Sequence, residues 1–460
     1  MAEAWNRTAR GFADAIRKKE ISSSEAVEAC LARIEDVNPK LNAMVHRCAD
    51  RAREEAKAAD AALARGEVRG PLHGVPMSIK DSFDTAGVPS TWATTGRKGT
   101  VPSRDATIVA RLRAAGAILL GKTNTPELTL SFETDNLIFG RTSNPYDLTR
   151  SSGGSSGGAA SLIAAGGTPF DIGTDTGGSV RLPSHWCGIA GIRPTSGRVP
   201  RTGHAVDFGT IYDATTTIGP MARSVDDLSL ILPIIAGPDG IDPAIVPASL
   251  GDPAAIDAKK LRVAFFTDNG IATPTAETQA AVRAAAKALG EAGAVVEEAR
   301  PEGISEALEL FMLVFTSDAG YGIRAMLEAC GTTQISPAVQ GFLSASPETS
   351  ASEVGRRIER WDKYRRTMLG FFGRYDAIVC PANAGPAMKH GFGPEGFEKF
   401  AYTMAFNLTG WPGTVVRCGT SPENLPIGLQ VVTAPWREDI SLALAKQLES
   451  AFGGWQKPAL

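Results

Sequence analysis

The chain has 460 residues, with 47 Lys and Arg against 50 Asp and Glu, a formal net charge of −3 and 43% hydrophobic residues. These proportions exclude a disordered or fibrous chain, and the near-zero balance argues against a nucleic-acid partner, because phosphate binding needs a basic excess on some face. Glycine is abundant, 49 of 460, and histidine scarce, at five, so a catalytic account built on a histidine cluster starts at a disadvantage.

The N-terminus, Met1-Ala2-Glu3-Ala4-Trp5-Asn6-Arg7, carries no apolar signal core. From Ser22, a capping box with Glu25 precedes Val27, Cys30, Leu31, Ile34 and Val37 at helical spacing, and Asn38-Pro39 is expected to end that helix. A second charged helix over 48–65 stops at Gly66. Short apolar runs bounded by Gly and Pro then predict buried strands at 75–79, 117–120, 170–172, 261–266, 377–379, 414–416 and 428–432. Helical patterns lie between them at 106–115, 224–235, 278–292, 352–372 and 439–452. This alternation predicts an α/β layered fold around a largely parallel or mixed sheet. The stretch 237–253 is rich in Pro, Asp and Ala, but a strand follows at once, so it reads as a surface excursion and residues 1–460 as one domain. No apolar run reaches the length of a membrane helix; 228–236 is short and carries Pro233. Cys30, Cys48, Cys187, Cys330, Cys380 and Cys418 form no C-x-x-C pair, which predicts reduced thiols and a cytoplasmic location.

Two motifs match well-known patterns without the context those patterns need. Gly116-Ala117-Ile118-Leu119-Leu120-Gly121-Lys122-Thr123 fits the phosphate-binding loop G-x-x-x-x-G-K-[ST]. Its variable residues are themselves an apolar strand, and Pro126 stops a helix from following the lysine. Gly153-Gly154-Ser155-Ser156-Gly157 fits the nucleophile elbow G-x-S-x-G, yet the lead-in from Ser143 to Arg150 is polar and turn-prone. A triad would also need a downstream histidine, and His185, His204 and His390 read as surface or structural residues in loops.

The glycines themselves are more informative. Residues 151–200 hold twelve, punctuating short apolar elements that no flexible linker would contain. Two backbone-dense loops result, one presenting Ser155 and one presenting Ser179 after Gly177-Gly178. Paired glycines allow unusual backbone angles and bring N–H groups close to a ligand, the construction of an oxyanion hole. A base is suggested upstream in Gly74-Val75-Pro76-Met77-Ser78-Ile79-Lys80-Asp81. Lys80 ends an apolar strand, and a poorly hydrated lysine has its pKa lowered, so its neutral amine is available to a serine. Asp175 and Arg181, beside the second serine, read either as substrate-binding charges or, in preference, as a buried ion pair bracing the loop.

These segments, with Gly116–Glu127, Ser151–Ser161 and Gly173-Thr174-Asp175-Thr176-Gly177-Gly178-Ser179-Val180-Arg181, resemble the amidase signature family. The likeness extends to Ile34–Ala43, and to Tyr375–Pro381, Asn407–Pro412 and Leu425–Val432, which resemble the family's C-terminal strands. The resemblance implies an α/β/α fold with a large central mixed sheet and a signature core at about 70–210. It implies a Ser-Ser-Lys triad: Ser179 as nucleophile, Ser155 as a bridging serine after a cis peptide, and Lys80 as the base. The N–H groups of Thr176, Gly177, Gly178 and Ser179 become the oxyanion hole, Thr129 and Phe132 fall in the segment lining the acyl pocket, and no metal or organic cofactor is required. The chain departs from the family at Arg417-Cys418, where a proline is common, and around Trp186 and Gly203–Phe208.

Three functions follow as expectations. One is hydrolysis of small-molecule amides, with anilides, carbamates or esters also within reach. A second is the glutamine-hydrolysing A subunit of a tRNA-dependent amidotransferase. The third is a catalytically dead scaffold, disfavoured because all three triad residues are present. The first carries the expectation of a small-molecule amide as the only partner, with no nucleic acid, no membrane, and a monomer or homodimer.

Overall fold

The computed structural model describes residues 4–205, 211–393 and 395–460. Val206, Asp207 and Phe208, part of the segment read as particular to this chain, lie outside the described residues.

Helix α1 (Ser23–Leu41) opens on its expected capping box: Glu25 N donates to Ser22 Oγ at 3.0 Å, and Ser22 N to Glu25 Oε2 at 2.8 Å. The expected stop at Asn38-Pro39 is corrected, because the helix passes through Pro39. A proline near a helix end removes only its own N–H bond, and the last turn still closes through Asn42 N on Asn38 O at 2.8 Å. Asn42 then leaves the helix in the left-handed region, with φ 49°.

Strands β1 (Met44–Arg47), β2 (Pro76–Lys80) and β3 (Ile118–Thr123) form a small sheet in the order β1-β3-β2, with β2 parallel and β1 antiparallel to β3. The phosphate-loop look-alike is thus strand, and Lys122 is buried against Phe83 O at 2.5 Å and Ser90 Oγ at 3.0 Å. A short hairpin of β4 (Ser143–Asn144) and β5 (Asp147–Ser151) follows.

The large sheet holds eight strands: β6 (Phe170–Asp175), β7 (Ala190–Arg193), β8 (Thr217–Ala222), β9 (Arg262–Phe265), β10 (Val295–Glu298), β11 (Ala377–Pro381), β12 (Gly413–Thr420) and β13 (Pro426–Thr433). Their order is β10-β9-β11-β13-β12-β7-β8-β6. Only β10-β9 and β9-β11 pair in parallel, so the sheet is mixed. All seven apolar runs are strands. The strands without such a run include β8, interrupted by Gly219-Pro220, and β10, half acidic and at the sheet edge.

Alternation along β12 and β13 assigns a helix to each face. Ser441, on the helix Glu438–Phe452, donates to Val431 O at 2.7 Å and lies 2.7 Å from Thr414 Oγ1. The opposite face, carrying Gln430 and Gly428, is met by the helix Arg181–Trp186 through Arg181 and His185. Helix, sheet and helix thus stack in three layers, with the main apolar core running from Ala9 to Leu448. A second, aromatic-rich core gathers around Trp186, Phe400 and Trp411. The segment 407–412, read above as strand, is corrected: Asn407 lies in the last turn of the helix Ala401–Thr409, which Gly410 terminates at φ 73°.

Candidate active site

Lys80 is the last residue of β2 and is fully buried. Its Nζ meets three hydroxyls, Ser155 Oγ at 2.7 Å, Thr174 Oγ1 at 2.8 Å and Ser156 Oγ at 2.9 Å. Burial holds this amine well below the usual lysine range, opposed by the nearby charges of Asp171 and Asp175. A neutral amine has two N–H groups and one lone pair, which matches three hydroxyl neighbours: two that accept and one that donates. Sequence reasoning named Ser155 and missed the other two. Ser156 was visible as the second serine of its motif, whereas nothing at sequence level sets Thr174 apart.

Ser155 stands at the entry to the helix Gly157–Ala164, and the Gly154–Ser155 peptide is cis, as the resemblance implied. Gly154 also has a steric reason to be glycine, since a Cβ there would lie 2.6–2.8 Å from Ser131 O, Phe132 C and Glu133 N. The loop is tied from outside: Thr125 Oγ1 donates to Ser155 O at 2.9 Å, Thr134 Oγ1 to Gly153 O at 2.9 Å, and Cys187 Sγ to Ser152 O at 3.5 Å.

Ser179 lies beyond β6 in the second glycine loop, 6% exposed. Ser156 N donates to Ser179 O at 3.3 Å, which brings the two serine loops side by side. Gly178 has φ +131°, and a Cβ there would fall 2.3 Å from Thr403 Oγ1. Thr403 in turn donates to Gly177 O at 2.7 Å, fixing the plane of the peptide between the two glycines. Among the described residues, none accepts from the backbone N–H of Thr176, Gly177, Gly178 or Ser179, so this arc of donors is uncommitted.

Asp175, directly before the loop, braces it as the sequence suggested. Arg181 Nε and Nη2 donate to its two oxygens, each at 3.0 Å, and Asn407 Nδ2 adds a bond at 2.8 Å. Burial would raise this carboxyl, but Arg181 and Arg193 hold it well below the usual carboxylate range. Val180 N and Arg181 N also donate to Asp175 Oδ2, at 3.2 and 3.3 Å. His185 is corrected from loop to helix. It is fully buried, with Nδ1 accepting from Gly428 N at 2.6 Å and Nε2 facing Gly385 O at 2.9 Å, and burial pushes its pKa down to about 4. His390 pairs with Glu133 at 2.7 Å.

Of the two expected pocket residues, Phe132 reaches the site. A Cβ on Gly177 would meet Phe132 Cζ and Phe311 Cζ, both at 3.3 Å. Phe132 stacks on Phe400 with centroids 4.2 Å apart and planes within 3°, and Phe392, Phe397 and Trp186 continue the aromatic wall. Thr129 is buried in a left-handed turn, φ 65°, and the described contacts do not bring it to either serine loop. Arg417, a departure from the family pattern, turns to Tyr146 Oη at 3.1 Å and Thr420 Oγ1 at 2.8 Å. Among the described residues, no group of three His, Cys, Asp or Glu side chains is set to hold a metal ion, and no helix is long and apolar enough to cross a membrane.

The amidase family model matches residues 25–442. The A subunit of the glutamyl-tRNA(Gln) amidotransferase of Moorella thermoacetica is 36% identical, over 98% of this chain and 97% of that one. Among solved structures, 6-aminohexanoate cyclic dimer hydrolase complexed with substrate superposes with a TM-score of 0.88 at 29% identity, covering 99% of both chains. A bacterial aryl acylamidase superposes with a TM-score of 0.86 at 27% identity, covering 97% of this chain and 96% of that one. The relatives named as amidotransferase subunits correct the expectation of a small-molecule amide as sole partner with no nucleic acid. A net charge of −3 belongs to the whole chain, and it constrains neither a local face nor a companion protein that carries the nucleic-acid contact. Model match, shared architecture and full-length relatives agree that the chain belongs to the amidase family, the amidase signature enzymes that hydrolyse C–N bonds.

Proposed function

We propose that the chain hydrolyses a carboxamide through an acyl-enzyme on Ser179, with Ser155 and Lys80 as its proton relay. The observation that carries this reading is the fully buried Lys80 amine, 2.7 Å from Ser155 Oγ, beside a glycine loop whose N–H groups are uncommitted. Ser179 Oγ attacks the carbonyl carbon and passes its proton to Ser155, which passes its own to the neutral Lys80. The N–H groups of Thr176, Gly177, Gly178 and Ser179 receive the oxyanion; one such donor is worth about 2.7–4 kcal/mol in the transition state. The relay then returns the proton to the leaving nitrogen, and water releases the acyl group.

The full-length relatives favour glutamine as the amide, with the chain acting as the glutamine-hydrolysing component of a tRNA-dependent amidotransferase. The aromatic wall at Phe132, Phe311 and Phe400 favours a second reading, an amide whose acyl group is apolar or aromatic. Six unpaired cysteines fit a reducing cytoplasm. The test is turnover of glutamine and of acyl-anilides, together with labelling by a fluorophosphonate. Ser179→Ala is expected to abolish both turnover and labelling, and retained labelling would remove Ser179 as nucleophile. A preference for glutamine over anilides supports the amidotransferase reading, and the reverse preference supports the apolar one.

A further inference from the structure

Asp171 is buried in β6, and its role is not explained by the fold alone. Its Oδ2 accepts from Ser78 Oγ at 2.6 Å and from Thr123 Oγ1 at 3.0 Å. Its Oδ1 is equally buried and has no partner among the described residues. Ser78 and Lys80 stand two apart on β2, so their side chains leave the same face, one reaching Asp171 and the other Thr174 on β6.

The surrounding charges narrow what this carboxylate can serve. Asp175, the other carboxylate near Lys80, is committed to Arg181 at 3.0 Å and Arg193 at 3.7 Å. Lys122, on the neighbouring β3, is paired with Asp81 at 3.7 Å and feels Asp171 only as the last of several charges, and Asp81 also accepts from Thr91. Strand β8 and the helix Gly157–Ala164, which pack on β6, carry no ionisable side chain. Among the described residues, the Lys80 amine hydrogen-bonds to hydroxyls alone. Lys80 and Asp171 are therefore, among the described residues, a buried cation-former and a buried anion-former on packed strands of the two sheets, neither side chain ion-paired to an opposite charge.

We propose that Asp171 is the counter-charge that sets the proton affinity of Lys80, a positioning residue held by Ser78 and Thr123. The inference rests on the relay proposed above, in which Lys80 becomes an ammonium while the tetrahedral intermediate exists. An ammonium formed in a fully buried site is costly without an anion nearby, and Asp171 supplies one through space. Direct contact would hold Lys80 permanently charged; a carboxylate one strand away favours the ammonium without fixing it. Burial also pushes the Asp171 carboxyl up to about 6, against the pull of Ser78, Thr123 and the backbone N–H groups of Ile172 and Lys80, so the counter-charge fades in mild acid.

The test is the pH profile of kcat/KM for an amide turned over by the full chain, with Asp171→Asn as the main variant. The amide still accepts from Ser78 and Thr123 but carries no charge. Loss of the anion lowers the proton affinity of Lys80, so the acid limb should move to lower pH by about one unit, and the plateau should fall about tenfold because the base is weaker. Ser78→Ala, which weakens the ionised form of Asp171, should move the limb the same way by less, and it serves if Asp171→Asn fails to fold. An acid limb that stays in place in a folded variant, with only the amplitude reduced, makes Asp171 structural and overturns the proposal. Failure of Ser179→Ala to abolish turnover would instead remove the relay itself, so the two failures are distinguishable.

Discussion

A lysine that ends a strand inside a protein has two ways to survive: pair its charge or lose it. Lys80 is surrounded by the hydroxyls of Ser155, Ser156 and Thr174, which suit a neutral amine. The pH dependence follows with a definite sign. Only the unprotonated amine can take a proton, so turnover should fall as pH drops through the lowered pKa of Lys80. Lys80→Arg keeps a cation that cannot deprotonate near neutrality, and its turnover should fall by about 10²–10⁴-fold with labelling of Ser179 slowed in parallel. A Lys80→Arg variant with near-wild-type rates would sink the relay. At this scale residue type drew attention to Lys80, Ser155 and Ser179, and the structure sets the first two 2.7 Å apart with the third on the neighbouring loop. The sequence was silent at Thr174, Thr403 and Asp171, whose roles depend on which strand lies next to which.

At the scale of elements, the loop after β6 is held by an ion pair between its two ends. Arg181 and Asp175 are both fully buried, so removing one partner leaves the other charged and dry. Arg181→Met should therefore cost about 3–5 kcal/mol of stability, measured by chemical denaturation near pH 7. The deficit should narrow in acid. A carboxyl held low in the folded state contributes stability above its unfolded pKa, and that contribution is lost as pH falls through the folded value. A deficit under about 1 kcal/mol, or one that widens in acid, would show that the pair is not what braces the loop. Elements with apolar runs, such as β2 and β13, were legible because burial on both faces leaves mostly apolar residues along the strand. β8 was not legible, because Gly219 and Pro220 sit inside it, and a Cβ on Gly219 would lie 1.8 Å from Ile192 O. There, packing chose the residue over strand propensity. The same competition carried α1 through Pro39, where local chemistry predicted a stop.

At the scale of the molecule, composition bounded the class of the chain, whereas the expectation about partners drawn from it is overturned by the relatives. The expectation of no nucleic-acid partner rested on net charge, a sum that hides both local patches and other subunits. Relatives named as amidotransferase subunits make partner dependence measurable. If this chain works within such an assembly, its glutaminase activity should rise at least about tenfold when the companion subunits are added, a differential transition-state gain of ~1.4 kcal/mol. Robust anilide hydrolysis by the purified chain alone would exclude an obligate subunit. The aromatic wall also joins distant parts of the chain, since Phe132 precedes the first serine loop and Phe400 lies far beyond the second. No local pattern could have announced that pairing.

The sulfur of Cys187 touches the carbonyl of Ser152, three residues before Ser155, and burial pushes its thiol far above the ordinary range. A thiol in that state hardly reacts with alkylating reagents while the loop stays closed. Its rate of modification is therefore a clock for how often the first serine loop opens. Substrates or companion subunits that tighten the loop would slow that clock, which makes Cys187 a native reporter of loop opening that needs no engineered cysteine.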